Sequence, residues 1–246
     1  MAPDPIDVRW HASVPSTMDV AAALAAEGAA HGVVVAAEQQ TAGRGRRGST
    51  WVSPPGAGLY FSCIARPRGP NEGVASTLSL LTLAAGVGVR DGIAAASGLA
   101  PDLKWPNDLL VGRRKLAGIL AEGLAVGTSD QAIVIGVGVN VQPAAYPPEV
   151  AVRATSIEGE LGRAVDRDAL LEAILAALWR RLAALEHSPG DILQAWRAAS
   201  PTARGARVAW DGRSGLTNGI DDTGALLVTT PSGVERIIAG ELSWTL

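Results

Sequence analysis

The chain has 246 residues, 48% hydrophobic and 18% charged, enough to bury a full core and unlike a disordered segment. Its formal net charge of -3 argues against a duplex-binding surface, which needs a net basic face. A single cysteine, Cys63, excludes an internal disulfide and a cysteine-rich zinc site; beside Phe61 and Ile64 it reads as a small buried side chain.

In chain order, the first residues lack the charged and apolar regions of a secretory signal, and no apolar run reads as long and uninterrupted enough to span a bilayer. A cytoplasmic protein with neither nucleic acid nor membrane as partner is therefore expected. A short strand around Val8, Arg9 and Trp10 precedes a helix start at Ser16-Thr17-Met18-Asp19, with an Ala/Leu-rich run to residue 30. Ser16 and Thr17 suit N-capping, and the free N–H groups of a helix start also suit a polar ligand facing the same hydroxyls. Residues 32–37 form a buried strand leading into residues 39–62. There Gly43, Gly45 and Gly48 surround Arg44, Arg46 and Arg47, ahead of Trp51 and a Pro54-Pro55-Gly56 turn.

Glycine lets backbone N–H groups approach an anion, and arginine pairs with phosphate or carboxylate through two parallel hydrogen bonds. The letters satisfy G-x-G-x-x-G, but Ser49 to Gly56 opens no helix, which removes the dinucleotide-binding reading. No Lys-Ser or Lys-Thr pair closes a P-loop either. Two readings remain, an anion-binding loop and a solvated arginine-rich turn.

Residues 59–65 leave the loop as a strand, and 76–96 read as a long buried helix. Residues 103–111 and 115–122 read as two antiparallel strands joined by a tight basic turn at Gly112-Arg113-Arg114. A third strand, 132–141, carries Gly136 and Gly138 on one face, with Val137 and Val139 on the other. Such glycines leave a smooth slot for a ligand, or mark a bulge or close sheet–helix packing. Residues 146–161 read as loop, 170–185 as a helix capped by Asp166 or Asp168, and 191–199 as a second helix. From residue 207 short strand-like runs, the last at 234–239, alternate with Gly-containing turns, which predicts a small β unit. The expected division is 1–200 and 201–246.

Four motifs now stand in order: Gly43-Arg44-Gly45-Arg46-Arg47-Gly48, Lys104-Trp105-Pro106-Asn107-Asp108, Lys115-Leu116-Ala117-Gly118-Ile119 and Gly136-Val137-Gly138-Val139-Asn140. Together they resemble the biotin protein ligases. Gly224-Ala225-Leu226-Leu227 and Gly240-Glu241-Leu242-Ser243 resemble that family's closing segments. The resemblance implies an α+β fold, a mixed sheet flanked by helices related to class II synthetases and lipoate ligases, plus a small C-terminal SH3-like β-barrel. It implies formation of biotinyl-5′-AMP from biotin and ATP, then transfer of biotin to one lysine of a biotin carboxyl carrier domain of acetyl-CoA carboxylase or a related carboxylase. Magnesium is implied with ATP, held largely through phosphates, with no protein ligand assigned. The pattern resembles the short type without an N-terminal DNA-binding domain. Two positions depart from the family: Met18 stands where Asn usually follows Ser-Thr, and a terminal basic residue sometimes seen is absent from Trp244-Thr245-Leu246.

Both half-reactions gather or develop negative charge, so the site must supply fixed cations. On the resemblance, Lys115, Arg46 and Asp108 are the expected catalytic residues, with Asp108 ordering the site, holding metal or activating the acceptor lysine. Ser16, Thr17, Gln40, Gly43, Arg44, Gly45, Arg46, Lys115, Gly136 and Gly138 are expected around biotin. Arg44, Arg46, Arg47, Trp51, Asn107, Lys115 and Asn140 are expected around the nucleotide. The alternatives are a lipoate or octanoate protein ligase and a non-catalytic biotin-binding module.

Overall fold

The computed structural model describes residues 6–66, 74–144, 146–238, 240 and 242–245, without the side chains of 74–77. Strand β1 (Val8–His11), helix α1 (Thr17–Ala26) and strand β2 (Val34–Ala37) make a parallel crossover, the connection a helix allows. Strand β3 (Gly58–Ala65) returns antiparallel to β2, and helix α2 (Val74–Ser97) leads to β4 (Asp102–Lys104), β5 (Asp108–Val111), β6 (Arg114–Leu124) and β7 (Ala132–Asn140). These seven strands form one sheet in the order β1-β2-β3-β7-β6-β5-β4. Helices α3 (Pro148–Ala151), α4 (Ile157–Leu161), α5 (Arg167–Leu185) and α6 (Pro189–Ala198) follow. Strands β8 (Arg204–Trp210), β9 (Arg213–Ile220), β10 (Leu226–Thr230), β11 (Gly233–Ile237) and β12 (Ser243–Thr245) close an antiparallel sheet in the order β11-β10-β9-β8-β12. The mixed sheet with helices and the small SH3-like β unit are the expected architecture. Of the expected run 234–239, residue 239 lies outside the described residues, as does Glu241 of the closing motif.

Strand alternation divides the large sheet's two faces. Phe61 and Cys63 of β3 and Ile135 and Val137 of β7 join Leu83 and Val87 of α2 and Ile174 and Leu178 of α5 in the main core. Each such fully buried apolar side chain contributes roughly 1.5–3 kcal/mol. On the opposite face, Met18, Ala21 and Ala25 of α1 cover Val35, Ile64 and Val134. Helix α1 covers only part of that face, and the uncovered part becomes the site.

Helix α2 crosses α5 at very short range because of two glycines one turn apart. A Cβ on Gly88 would come within 2.6 Å of the Leu178 Cα, and one on Gly92 within 2.4 Å of the Ile174 Cα. The second sheet is built onto the same core through Val208, Trp210, Leu226 and Val228. The Trp105 indole N–H donates to the Gly224 carbonyl at 3.0 Å, tying the two sheets together.

Three expectations need correction. Residues 103–111 are not one strand: Lys104 pairs with Asp108 across a tight turn, because Pro106 has no N–H to give a ladder. Residues 146–161 are not all loop, since Pro148 opens α3 and the Ser156 hydroxyl caps α4 by accepting from the Gly159 N–H. The stretch Leu78–Ser97 of α2 is long and apolar enough to cross a bilayer, with mean hydropathy 1.4 over 20 residues. Here that apolarity is spent on the core between the sheet and α5. Asp166, not Asp168, caps α5, accepting from the Asp168 and Ala169 N–H groups. Cys63 is fully buried, and burial pushes its thiol up, away from nucleophile chemistry.

Candidate active site

The floor of the site is one cross-strand row. Gly138 of β7 faces Gly118 of β6, Gly118 faces Asp108 of β5, and Asp108 faces Lys104 of β4. Direct partners share a sheet face, so a glycine slot runs straight into an acid–base pair. Lys115 reaches the same face by a different device. The β5–β6 register shifts between Leu109 and Leu110, leaving Leu116 as an extra residue on β6. Strict alternation from Gly118 would turn Lys115 toward the core; the bulge turns it toward the slot instead. The Leu116 side chain stays fully buried.

Lys115 Nζ lies 2.6 Å from Asp108 Oδ1, and Lys104 Nζ lies 3.5 Å from Asp108 Oδ2. Each ammonium also sits over an indole face, Lys115 at 5.4 Å from the Trp51 centroid and Lys104 at 5.5 Å from the Trp244 centroid. Among the described residues, Asp108 is the sole carboxylate lining a cavity of about 320 Å³. With two lysines on one carboxylate, the cluster carries an excess positive charge suited to an anion.

At the far end of the slot, Ser16 does both jobs weighed above. It caps α1, accepting from the Met18 N–H at 3.3 Å, and it lines the cavity. Gln40 Oε1 accepts from the Thr17 N–H at 2.9 Å, and the Gln40 amide donates to Ser53 Oγ at 2.9 Å. Thr17 Oγ1 meets Ser62 Oγ at 2.8 Å. Buried hydroxyls and an amide are thus fixed in place before any ligand arrives. Met18 lies against the glycine slot, its Sδ 2.7 Å from where a Cβ on Gly136 would stand.

The arginine loop folds back on itself. The Gly45 N–H donates to the Ser49 carbonyl at 2.7 Å, and the Trp51 N–H to the Gly43 carbonyl at 2.9 Å. A Cβ on Gly43 would fall 2.4 Å from the Trp51 carbonyl, so this glycine is required by close approach, and it does not line the cavity. The left-handed turn is carried by Arg47 (φ 54) and Gly48 (φ 76). Arg44 is held by Asp19 at 3.2 Å and Glu122 at 3.0 Å, which pins the loop to α1 and β6. Arg46 is half-buried on the cavity wall, and its guanidinium has no hydrogen bond or ion pair among the described residues, although its carbonyl accepts from the Ser49 N–H and hydroxyl. Burial, then the neighbouring Arg47, holds its guanidinium below the usual arginine range, against the pull of Asp108. Arg47 also lines the cavity from an exposed position.

Trp51 lies flat across the glycines: a Cβ on Gly138 would be 2.4 Å from its Cε2. Its indole N–H is buried with no hydrogen-bond partner among the described residues. Beyond this ring a second cavity of about 600 Å³ shares Lys104, Asp108 and Lys115 and adds Arg113, Arg153, Tyr146 and Asn140. Asn107 donates to the Ile119 carbonyl at 2.7 Å, and Asn140 to the Thr155 carbonyl at 2.9 Å. Both amides hold backbone while their residues line a cavity. Sequence reasoning gave no role to Lys104, Ser53, Ser62 or Trp244. Lys104 was already visible inside a motif, whereas the other three carry no sequence signal of their own.

A glycine slot thus ends in a lysine–aspartate–lysine cluster beside Arg46, a cationic pocket suited to an anionic ligand. The profile of the Biotin/lipoate A/B protein ligase family matches residues 10–140. The chain is 35% identical over 239 residues to the bifunctional ligase/repressor BirA of Bacillus subtilis, covering 95% of this chain and 72% of that protein. It is 36% identical over 223 residues to the biotin–[acetyl-CoA-carboxylase] ligase of Paracoccus denitrificans, covering 85% and 88%. The structure superposes on the biotin protein ligase of Aquifex aeolicus in complex with biotin and ATP with a TM-score of 0.82, at 28% identity, covering 97% and 98% of the two chains. The chain belongs to the Biotin/lipoate A/B protein ligase family.

Proposed function

We propose that this protein is a biotin protein ligase, forming biotinyl-5′-AMP from biotin and ATP and passing the biotinyl group to one lysine of a biotin carboxyl carrier domain. The observation that carries this reading is the Lys115–Asp108–Lys104 cluster at the end of the glycine slot, with Arg46 unpaired beside it. In the first step a carboxylate oxygen of biotin attacks the α-phosphorus and pyrophosphate leaves. Lys115 and Arg46 stabilise the charge that gathers on the α-phosphate oxygens, in a cavity where fixed cations need no reorganisation. In the second, the acceptor amine attacks the acyl carbon, AMP leaves and the amine loses a proton. Asp108, its lysines then drawn to phosphate, is placed to receive it.

In this reading the biotin head meets Ser16, Thr17 and Gln40, its ring and chain lie along Gly136 and Gly138, and Arg44 and Gly45 close the loop over it. The nucleotide extends toward the cavity lined by Asn140, past Trp51 and Asn107 and beneath Arg47. No group of three or more His, Cys, Asp or Glu side chains fit to hold a metal occurs among the described residues. In this reading magnesium is held largely through the ATP phosphates, and Asp108 is, among the described residues, the one carboxylate of the cavity that could reach it. The acceptor is the carrier domain of acetyl-CoA carboxylase or a related carboxylase, and the compartment is the cytoplasm. Residues 1–200 form the catalytic unit and 201–246 the C-terminal one.

The test is pyrophosphate release from ATP and Mg²⁺ with biotin or lipoate offered separately and no acceptor protein. Release with biotin alone supports the reading. Release with lipoate alone overturns the substrate, and release with neither overturns the enzyme.

A further inference from the structure

We propose that Trp244 is a positioning residue for adenylate formation, acting through Lys104, so that the last strand of the C-terminal sheet is part of the catalytic machinery. The inference rests on the ligase reading above and adds a residue to it. Lys104 ends the row Gly138–Gly118–Asp108–Lys104, but its hold on Asp108 is the looser of the two, 3.5 Å against 2.6 Å for Lys115. A four-carbon stem with one loose carboxylate contact has many rotamers open to it, and ordering it costs conformational entropy.

Trp244 supplies the missing restraint. Strand β12 pairs with β8 so that Trp244 stands opposite Val208, which is fully buried. The indole therefore faces inward, across the gap between the two sheets, and its ring centroid lies 5.5 Å from Lys104 Nζ. Trp244 and Leu242 line both cavities of the site.

The chemistry of the restraint matters more than its presence. A second carboxylate would hold Lys104 equally well but cancel its charge and repel an incoming phosphate. An aromatic face attracts the ammonium through its quadrupole and adds no net negative charge. Lys104 is thereby aimed without a second carboxylate set against its charge. Lys115 is treated the same way by Trp51, at 5.4 Å. The two lysines and their shared Asp108 are thus bracketed by an indole from the arginine loop and an indole from the C-terminal sheet.

The experiment compares Trp244→Leu, which keeps apolar bulk and removes the aromatic face, with Trp244→Phe, which keeps the face. Nucleotide Kd is read by calorimetry with ATP and Mg²⁺ in the absence of biotin, and kcat and KM for ATP from biotin-dependent pyrophosphate release. Trp244→Leu is expected to weaken the ATP KM and Kd by roughly tenfold, the scale of one well-placed cation–π contact. Biotin Kd should stay unchanged, and Trp244→Phe should recover most of the loss. In a Lys104→Met background, Trp244→Leu should add little. Wild-type behaviour of Trp244→Leu, equal losses in Leu and Phe variants, or a full additional loss on top of Lys104→Met would each overturn the proposal. Should the wild-type protein release pyrophosphate with neither acid, the ligase reading fails, while the ATP Kd series still decides the role of Trp244.

Discussion

Lys115 and Asp108 stand 2.6 Å apart only because of the extra residue Leu116, which turns a side chain bound for the core onto the ligand face. The pair is a third exposed at Lys115, so its contribution to folding is that of a surface ion pair, about 1 kcal/mol or less. On the proposed reading, the contribution of Lys115 to charge stabilisation during adenylation is much larger. Lys115→Ala is expected to cut biotin-dependent pyrophosphate release by about a hundredfold or more while barely moving the unfolding midpoint. Normal turnover in that variant would refute the assigned role.

The Arg46 guanidinium faces the cavity with no ion pair among the described residues. On the proposed reading, removing it should leave the fold intact and weaken the grip on the adenylate phosphate. Arg46→Gly is expected to release biotinyl-5′-AMP into solution and to biotinylate lysines of a bystander protein such as albumin. A streptavidin blot with carrier and bystander together checks this, and labelling confined to the carrier would count against it.

The arginine loop is held by a few short backbone bonds, among them Gly45 N–H to Ser49 and Trp51 N–H to Gly43, and by the exposed ion pairs of Arg44 with Asp19 and Glu122. Loops of that kind open readily, and an acyl-adenylate must be kept from water. Hydrogen exchange across residues 41–56 is expected to slow when biotin and ATP are added together. Exchange that stays the same would end the idea of this loop as a lid.

Gly138 carries the Trp51 ring. Gly138→Ala places a Cβ 2.4 Å from the Trp51 Cε2, so the indole must move off the slot. The expected result is a loss of about 1–3 kcal/mol in stability, from overpacking, and a raised KM for biotin. Thermal unfolding and steady-state kinetics on one preparation measure both, and a variant unchanged in each would show that the slot tolerates a methyl group.

Acid should loosen the C-terminal sheet through Asp221. Burial pushes its carboxyl up, but hydrogen bonds from Thr223, Arg236 and the Thr223 and Ala225 N–H groups outweigh that and hold it below the usual range. A lowered carboxylate contributes stability that is present above its unfolded value, about pH 4, and is lost as pH falls through the folded one. Asp221→Asn should be less stable than wild type at neutral pH, with the difference shrinking below about pH 4. Equal stability at pH 7 would contradict the assignment.

Most of the residues that line the cavity stand in motifs legible in the sequence, because motif and geometry coincide there; Gly43, in the first motif, does not line it. Gly136 and Gly138 share a face by simple alternation, and Ser16 announces a helix start. The bulge was not legible, since Leu116 looks like any strand residue and only the β5 pairing makes it extra. Nor was Trp244, whose partner lies 140 positions earlier and is met only through packing of the two sheets. The short helices α3 and α4 hid among prolines and glycines, which mark turns and helix starts alike.

Helix α2 bears on how the chain would answer a mutational scan. Gly88 and Gly92 leave room for nothing larger than hydrogen against α5, on the side of the sheet away from the ligand. Substitutions there should silence the protein as surely as those at Lys115, through collapse of the helix crossing instead of the chemistry. A map of intolerant positions would therefore show two separate hot regions, one on each side of the sheet. Only an assay that scores abundance and turnover separately would tell the bench from the tools laid on it.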